Sequence, residues 1–447
     1  MSHQDDVHLR KNISTIKSIL EVAVPESVAS YLRHGNAARE PAWLASVALT
    51  CFGWVTAGTL GERVSQGCRV VGQVFDREET ITRQGLMKAL GTCGPDLVKM
   101  MIGSLANHVQ SLKGYWTQQG KVNVAVDGSK FAAPRTKENQ DYFAATAQKK
   151  KKNKKYKKAS DRPKASTVQV LLTVFWHLSS GLPLQWTTSA SNGSERKNAA
   201  QMLDDLPRNA RLIGDAEYVG YPLWSKIRNS GRSFLVRVGS NRTLLKQLGE
   251  HRVEDGYVSY WPDEVMRAKD PPLVLRLIQI RDGKRAIYLV TNELDLDDET
   301  AGVLYSGRWG IEVFFRTVKQ TCERAKLHCH RPENVLTELN WTLLGIWCAL
   351  FAGKQALREE DRAPQEISPV KVLKAFSKVV ELIAKAAEPV SLFQNELANA
   401  VLADESERTS RKKSRNYPRK KKYRRCGAPN VELATAEQRQ QLKQLKV

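Results

Sequence analysis

The hydrophobic period of this chain changes near residue 121, and that change limits the possible folds more than any other feature. Upstream, apolar residues recur every three or four positions over Ser14–Leu32, Ala42–Val55, Gly61–Phe75, Thr82–Leu90 and Asp96–Leu112, which predicts helices. Downstream, Val122–Val126, Val168–Trp176 and Leu184–Thr188 read as strands, the last two joined by a turn at Ser179-Ser180-Gly181. A helix over Glu195–Leu206 leads to a fourth strand-like run, Ala210–Gly214, and a helix over Tyr221–Ser230 to a fifth, Ser233–Val238. Three strands, a helix and another strand predict an α/β sheet.

Two of these runs stop at a carboxylate. VNVAV is followed by Asp127-Gly128-Ser129, and ARLIG by Asp215. Ligands bind at the carboxyl edge of strands in open α/β sheets, although a lone Asp there is most often a turn former or a helix cap. A third acid lies in YSGRWGIEVFFRTVK, Tyr305 to Lys319. At about 100° per residue, Tyr305, Arg308, Glu312 and Lys319 fall within roughly 60° of one another, so an unbroken helix carries them as one stripe about 20 Å long. Trp309, Ile311, Val313, Phe314 and Val318 fill much of the remaining surface. Glu with Arg or Lys at this spacing is commonly a solvated ion pair worth about 0.2–0.5 kcal/mol. With Asp127 and Asp215, however, Glu312 makes three acids, enough to hold two Mg²⁺ ions about 3.5–4 Å apart.

The Tyr-x2-Arg-x3-Glu-x6-Lys spacing with two upstream aspartates resembles the DDE transposases of the bacterial IS4 insertion-sequence family. All four motif residues match without insertion, and GDAEYVGY after the fourth strand is similar to that family's second-Asp region. The resemblance spans roughly Val122 to Glu338, about half the chain. It implies a ribonuclease-H-like catalytic core, in keeping with the strand order, and a β-rich insertion before the final Glu. The acid separations of 88 and 97 residues leave room for it. It further implies that Asp127, Asp215 and Glu312 are the catalytic triad, holding two Mg²⁺ or Mn²⁺ ions, and that Tyr305, Arg308 and Lys319 grip DNA phosphates near the transposon end. The partners so implied are double-stranded DNA, both element ends and target, and a second copy of the chain in a synaptic homodimer. The activity is metal-dependent strand cleavage at those ends, then attack of the freed 3′-hydroxyl on target DNA.

Charge agrees independently. The balance of 70 basic against 47 acidic residues is +23, which favours a polyanionic partner. Lys149–Lys158 holds eight lysines and Arg408–Arg425 eleven basic residues, neither with an acid; without those 19 charges the chain is near +4 (23 − 19). Both runs lack base-reading side chains, so they predict non-specific phosphate contact and no stable structure without ligand. A hydrophobic content of 41% excludes a chain disordered throughout. Seven scattered cysteines fit a reducing interior. Met1–Arg10 is polar, and Ala42–Val55 and Thr342–Ala352 are too short for membrane spans. The expectation is a cytoplasmic, nucleoid-associated protein without membrane contact.

Residues 1–120 are then a helical domain for DNA binding or dimerisation, in which ITRQGLMKAL could serve as the recognition helix of a helix-turn-helix. Residues 121–238 begin the core, with the Lys-rich run at 149–158 as a projecting loop. Residues 239–300 are the insertion, with strands at Tyr257–Trp261, Leu273–Arg281 and Ala286–Thr291, the last two joined at Asp282-Gly283. Residues 301–403 complete the core with the apolar helix Val335–Ala352 and the amphipathic Lys371–Ala386, and 404–447 form a basic tail. Some members of the family receive a flipped base on an aromatic of the insertion. No motif aligns Trp261 with that residue, and it reads as a half-buried strand aromatic. Cys322, His328, Cys329 and His330 invite a zinc site but lack a second spaced pair, and packing is the better reading. Competing classes are a nuclease of the same core that never joins strands, a catalytically decayed DNA-binding relic, and a basic RNA-binding structural protein. The last leaves three acids unexplained.

Overall fold

The structure is a computed structural model describing residues 3–25, 41–111, 114, 116–143, 168–249, 256–282, 285–387, 391–402 and 427–445. Both lysine- and arginine-rich runs, and the turn at Gly283, lie outside the described residues. The chain opens with α1 (His3–Ala23), α2 (Pro41–Leu49) continuing through a π-helical turn at Thr50–Trp54, α3 (Leu60–Phe75) and α4 (Arg83–Ser111). A capping box starts α3: Glu62 N–H donates to Thr59 Oγ1, and Thr59 N–H to the Glu62 carboxylate. The break expected between Leu90 and Asp96 is absent. Leu86, Leu90, Leu97, Met101, Leu105 and Val109 are all buried, one stripe in phase across the junction, so the helix continues. ITRQGLMKAL therefore opens a 29-residue helix whose apolar positions sit in the core.

Next come β1 (Val122–Ala132), α5 (Lys137–Phe143), β2 (Gln169–His177), β3 (Leu182–Ala190), α6 (Glu195–Met202), β4 (Ala210–Gly214), α7 (Tyr221–Asn229) and β5 (Ser233–Val238). β2 and β3 pair antiparallel on one side of β1, while β4 pairs parallel with β1 on the other and β5 parallel with β4. That order, 3-2-1-4-5, is the ribonuclease-H-like core expected from the sequence. The β2–β3 turn closes at Gly181 with φ +60°, where glycine avoids the left-handed penalty. Buried His177 locks it through Ser180, Nδ1 to Oγ 2.8 Å.

The insertion does not form a sheet of its own. β6 (Thr243–Lys246), β7 (Tyr257–Tyr260), α8 (Asp263–Arg267), β8 (Leu273–Asp282) and β9 (Arg285–Thr291) extend the core sheet, with β9 antiparallel to β5. α9 (Asp298–Gly307), α10 (Trp309–Arg316), α11 (Pro332–Glu359), α12 (Pro369–Ala384) and α13 (Phe393–Ala398) follow. Finally β10 (Asn430–Leu433) pairs parallel with β6, completing a ten-stranded sheet at its edge before α14 (Ala436–Leu445).

By length and composition α11 could cross a membrane, but 83% of its most apolar window is buried inside the protein. It is the spine against which the N-terminal helices pack. Trp54 donates its indole N–H to Gly345 O at 2.8 Å, and the two backbones meet so closely that a Cβ on Gly53 would fall 2.5 Å from Gly345 Cα. Gly53→Ala is expected to cost about 1–3 kcal/mol by overpacking. Gly91→Ala, at a helical glycine with nothing within 4 Å, should instead gain about 0.5–1 kcal/mol. Opposite shifts of the denaturation midpoint check both.

Candidate active site

Strand alternation decides which side chains meet. Along β1, Asn123, Ala125, Asp127, Ser129 and Phe131 share one face, and Val122, Val124, Val126 and Gly128 the other. The parallel register with β4 runs from Val122↔Ala210 to Val126↔Gly214, where β4 stops. Asp127 and Asp215 are the next pair, side by side on one face. The expectation that Asp127 follows the end of its strand is corrected here. β1 runs on against β2, from Asp127↔Val174 to Ala132↔Gln169, and only β4 ends. The extension carries Ser129 and Phe131 past the acids on the same face.

Tyr305–Lys319 is not one helix, so the single stripe expected of it is broken. α9 ends at Gly307, Arg308 makes the junction, and Thr317–Thr321 is π-helical, a distortion frequent at functional sites. Close packing explains the glycines: a Cβ on Gly307 would lie 3.1 Å from Leu178 Cδ2, and one on Gly310 3.1 Å from Trp176 Nε1. Arg308 reaches both acids of its surroundings, Nη2 to Glu312 Oε1 at 2.8 Å and Nη1 to Asp127 Oδ2 at 3.5 Å. Its guanidinium also lies 5.7 Å from the Tyr305 ring centroid. Lys319 is carried away to β1, where Nζ donates to Ser129 Oγ at 2.7 Å and stands 4.9 Å from the Phe131 ring centroid. Tyr305 packs among Ile213, Leu235 and Leu304 with its hydroxyl toward Arg237.

A residue that sequence reading took only for a helix start belongs to this group. Glu195 opens α6 and comes to the opposite side of β1, where a Cβ on Gly128 would fall 2.5 Å from its Oε2. Tyr218 donates its hydroxyl to Glu195 Oε2 at 3.0 Å. The acid directly after SNGS was the available signal, but such residues usually serve their own helix terminus.

Burial pushes the Asp127 carboxyl up to about 7. The Gly128 N–H pulls it back, Asp215 pushes it higher, Arg308 lowers it and Glu195 raises it again. A carboxyl whose folded pKa is raised favours the folded state at low pH, and that stabilisation is lost as pH rises through about 7. Burial also raises the Glu195 carboxyl and lowers the Lys319 ammonium. For Arg308 burial works against the charge, yet Tyr305, Glu312 and Asp127 outweigh it and hold the proton more firmly.

Asp127, Asp215, Glu312 and Glu195 are all anionic oxygen donors, which suits a hard divalent cation. The space Gly128 leaves beside Asp127 brings Glu195 within reach as well. As the side chains stand, no three acids, histidines or cysteines among the described residues converge on one ion position, and Arg308 lies between Asp127 and Glu312. Cys322 and Cys329 are buried, and burial pushes each thiol up to about 12. His328 instead turns to Glu338, Nδ1 to Oε1 3.0 Å, while the main-chain N–H groups of His328 and Cys329 donate to Glu338 Oε2. Trp261 is buried, its indole N–H donating to Asp270 O at 2.8 Å.

Comparison with known proteins places these residues in context. The family described as "Transposase DDE domain" matches residues 118–348, just over half of the chain. A curated relative, the transposase InsG for insertion sequence element IS4 of Escherichia coli (strain K12), is 26% identical over 239 residues, 50% of each chain. The chain thus spans about half the length of that relative. Among solved structures, the piggyBac transposase synaptic complex with hairpin DNA aligns with a TM-score of 0.37 and 10% identity, over 88% of this chain and 85% of that one.

Replacing Arg308 by Gln removes a cation that bridges Asp127 and Glu312. The Asp127 carboxyl, near 7 in the native chain, is expected to titrate higher in the variant. Carbon-13 NMR of aspartate-labelled protein reads this directly, and an unchanged titration would show that Arg308 does not face Asp127.

Proposed function

Because this chain belongs to the family carrying the transposase DDE domain, we propose that it is a DNA transposase, cutting strands at the ends of its own mobile element and joining them to target DNA. The observation that carries the reading is the placement of Asp127 within β1 next to Asp215, which follows the end of β4, with Arg308 bridging Asp127 to Glu312. Asp127, Asp215 and Glu312 are the residues to hold divalent cations. When bound, two Mg²⁺ or Mn²⁺ ions would supply an activated water or 3′-hydroxyl and offset charge on the leaving oxygen.

The chain's own residues position the substrate. Arg308 is shared between Asp127 and Glu312 as it stands. A DNA phosphate offers the same guanidinium a bidentate partner, and its transfer frees both carboxylates. Lys319 spends one N–H on Ser129 and keeps two for phosphate oxygens. Tyr305 backs the guanidinium and can donate its hydroxyl. The two basic runs supply sequence-independent contact with double-stranded DNA that weakens steeply with salt. A homodimer is part of the proposal because two ends must be held together for joining.

The test is cleavage of DNA carrying the element's end by the purified chain, in Mg²⁺ and in EDTA. Nicking that needs the metal, followed by joining to a second duplex, supports transposition; hydrolysis that never joins strands would make the protein a plain nuclease. Glu312→Ala should abolish cleavage with end binding unchanged, measured by gel shift, and a parallel loss of binding would deny Glu312 a purely catalytic role. Lys319→Ala should slow cleavage about 10²-fold by removing one phosphate donor, and an unchanged single-turnover rate would take Lys319 out of the site.

A further inference from the structure

We propose that Glu195 is a fourth carboxylate of the cation site, carried by α6 to the far side of the Asp127–Asp215 pair and held there by Tyr218. The proposal rests on the reading of Asp127 and Asp215 as cation-holding residues, and extends it to the opposite face of the sheet.

Two glycines make the case. Gly128 follows Asp127 and Gly214 precedes Asp215, so strand alternation turns both toward α6. Gly128 lies in a regular strand and is not among the glycines with positive φ. Its backbone does not require glycine; the neighbouring side chain does. A Cβ at Gly128 would stand 2.5 Å from Oε2 and 2.6 Å from Oε1 of Glu195. A Cβ at Gly214 would press on the Tyr218 side chain at 3.0–3.1 Å. Tyr218 is 1% exposed and donates its hydroxyl to Glu195 Oε2 at 3.0 Å. The residue beside each aspartate has therefore given up its side chain to admit one member of the Glu195–Tyr218 pair.

The charge balance points the same way. Among the described residues no salt bridge reaches Glu195, and its hydrogen-bond donor, Tyr218, is neutral. Arg308 is already shared between Asp127 and Glu312. The Lys130 charge acts on Glu195 and favours its carboxylate, but among the described residues it forms no ion pair with it. A part-buried carboxylate beside two others without a contacting cation is unfavourable. A divalent cation with oxygen ligands at the Asp127 edge offsets it.

The experiment is Mn²⁺ binding to the full chain in complex with its end DNA, followed by electron paramagnetic resonance of free Mn²⁺, with DNA binding in EDTA measured alongside. Glu195→Gln keeps the shape and removes the charge. It should weaken Mn²⁺ binding about 10–100-fold while DNA binding in EDTA stays at the native value and the thermal midpoint in EDTA does not fall. Gly128→Ala retains Glu195 but displaces its carboxylate and should reproduce the loss, which keeps the test decisive if Glu195→Gln folds poorly. Native Mn²⁺ affinity in both variants, with Asp127→Asn losing it, overturns the role of Glu195 and leaves the transposase reading standing. Native affinity in Asp127→Asn as well overturns both.

Discussion

The parallel pairing of β1 with β4, and its end at Val126↔Gly214, is the constraint on which the rest depends. It brings two aspartates close enough for the charge of Asp215 to raise the Asp127 carboxyl. Like charges at such spacing repel and resist ionisation, and the surrounding sequence is a set of responses to that strain. Arg308 bridges Asp127 to Glu312 from one face. The Gly128 N–H donates to Asp127 Oδ1 at 2.8 Å, and the Glu217 N–H to Asp215 Oδ1 at 2.9 Å. On the other face two glycines leave room for Glu195 and Tyr218.

The sheet fixes where Asp127 stands, and the helix breaks decide where the cations point. β1 is flanked by β2 and β4, which place Asp127 in the centre of the core sheet. The motif segment is broken twice, at the Gly307–Arg308 junction and at the π-helical turn, and each break frees a cation from the helical repeat. Arg308 turns to the acids and Lys319 to Ser129, on the same β1 face. The helical envelope supports this from behind. α10 packs through Phe314 on Trp176 of β2, with ring centroids 4.9 Å apart. α11 joins sheet to N-terminal helices through Trp186–Asn340 on one side and Trp54–Gly345 on the other.

Much of this was legible in the chain. Alternating and strand-length apolar runs located β1 to β5, because a half-buried sheet imposes its period on composition. Asp127 and Asp215 stood out as acids closing such runs, and Glu312 by its fixed spacing from Arg308 and Lys319. Other features left no local trace. β6 and β10 are four-residue strands, too short to show a period, and β10 owes its place to an edge far away in sequence. The π-helical turn adds a residue per turn without any breaker residue to mark it. Gly94 and Pro95 read as a break, yet tertiary burial on both sides of them outweighed local propensity and kept α4 whole.

By itself the sequence determined the order of strands and helices, the identity of three candidate acids and the excess of positive charge, since each is written in neighbouring residues or in composition. Tertiary structure alone decided which acids share an edge, that Arg308 faces carboxylates while Lys319 faces Ser129, and that Glu195 stands beside Gly128. Apart from Arg308–Glu312, which are one helical turn apart, those pairings join residues 67 to 190 positions apart. They follow from strand register and helix packing, which no local pattern encodes.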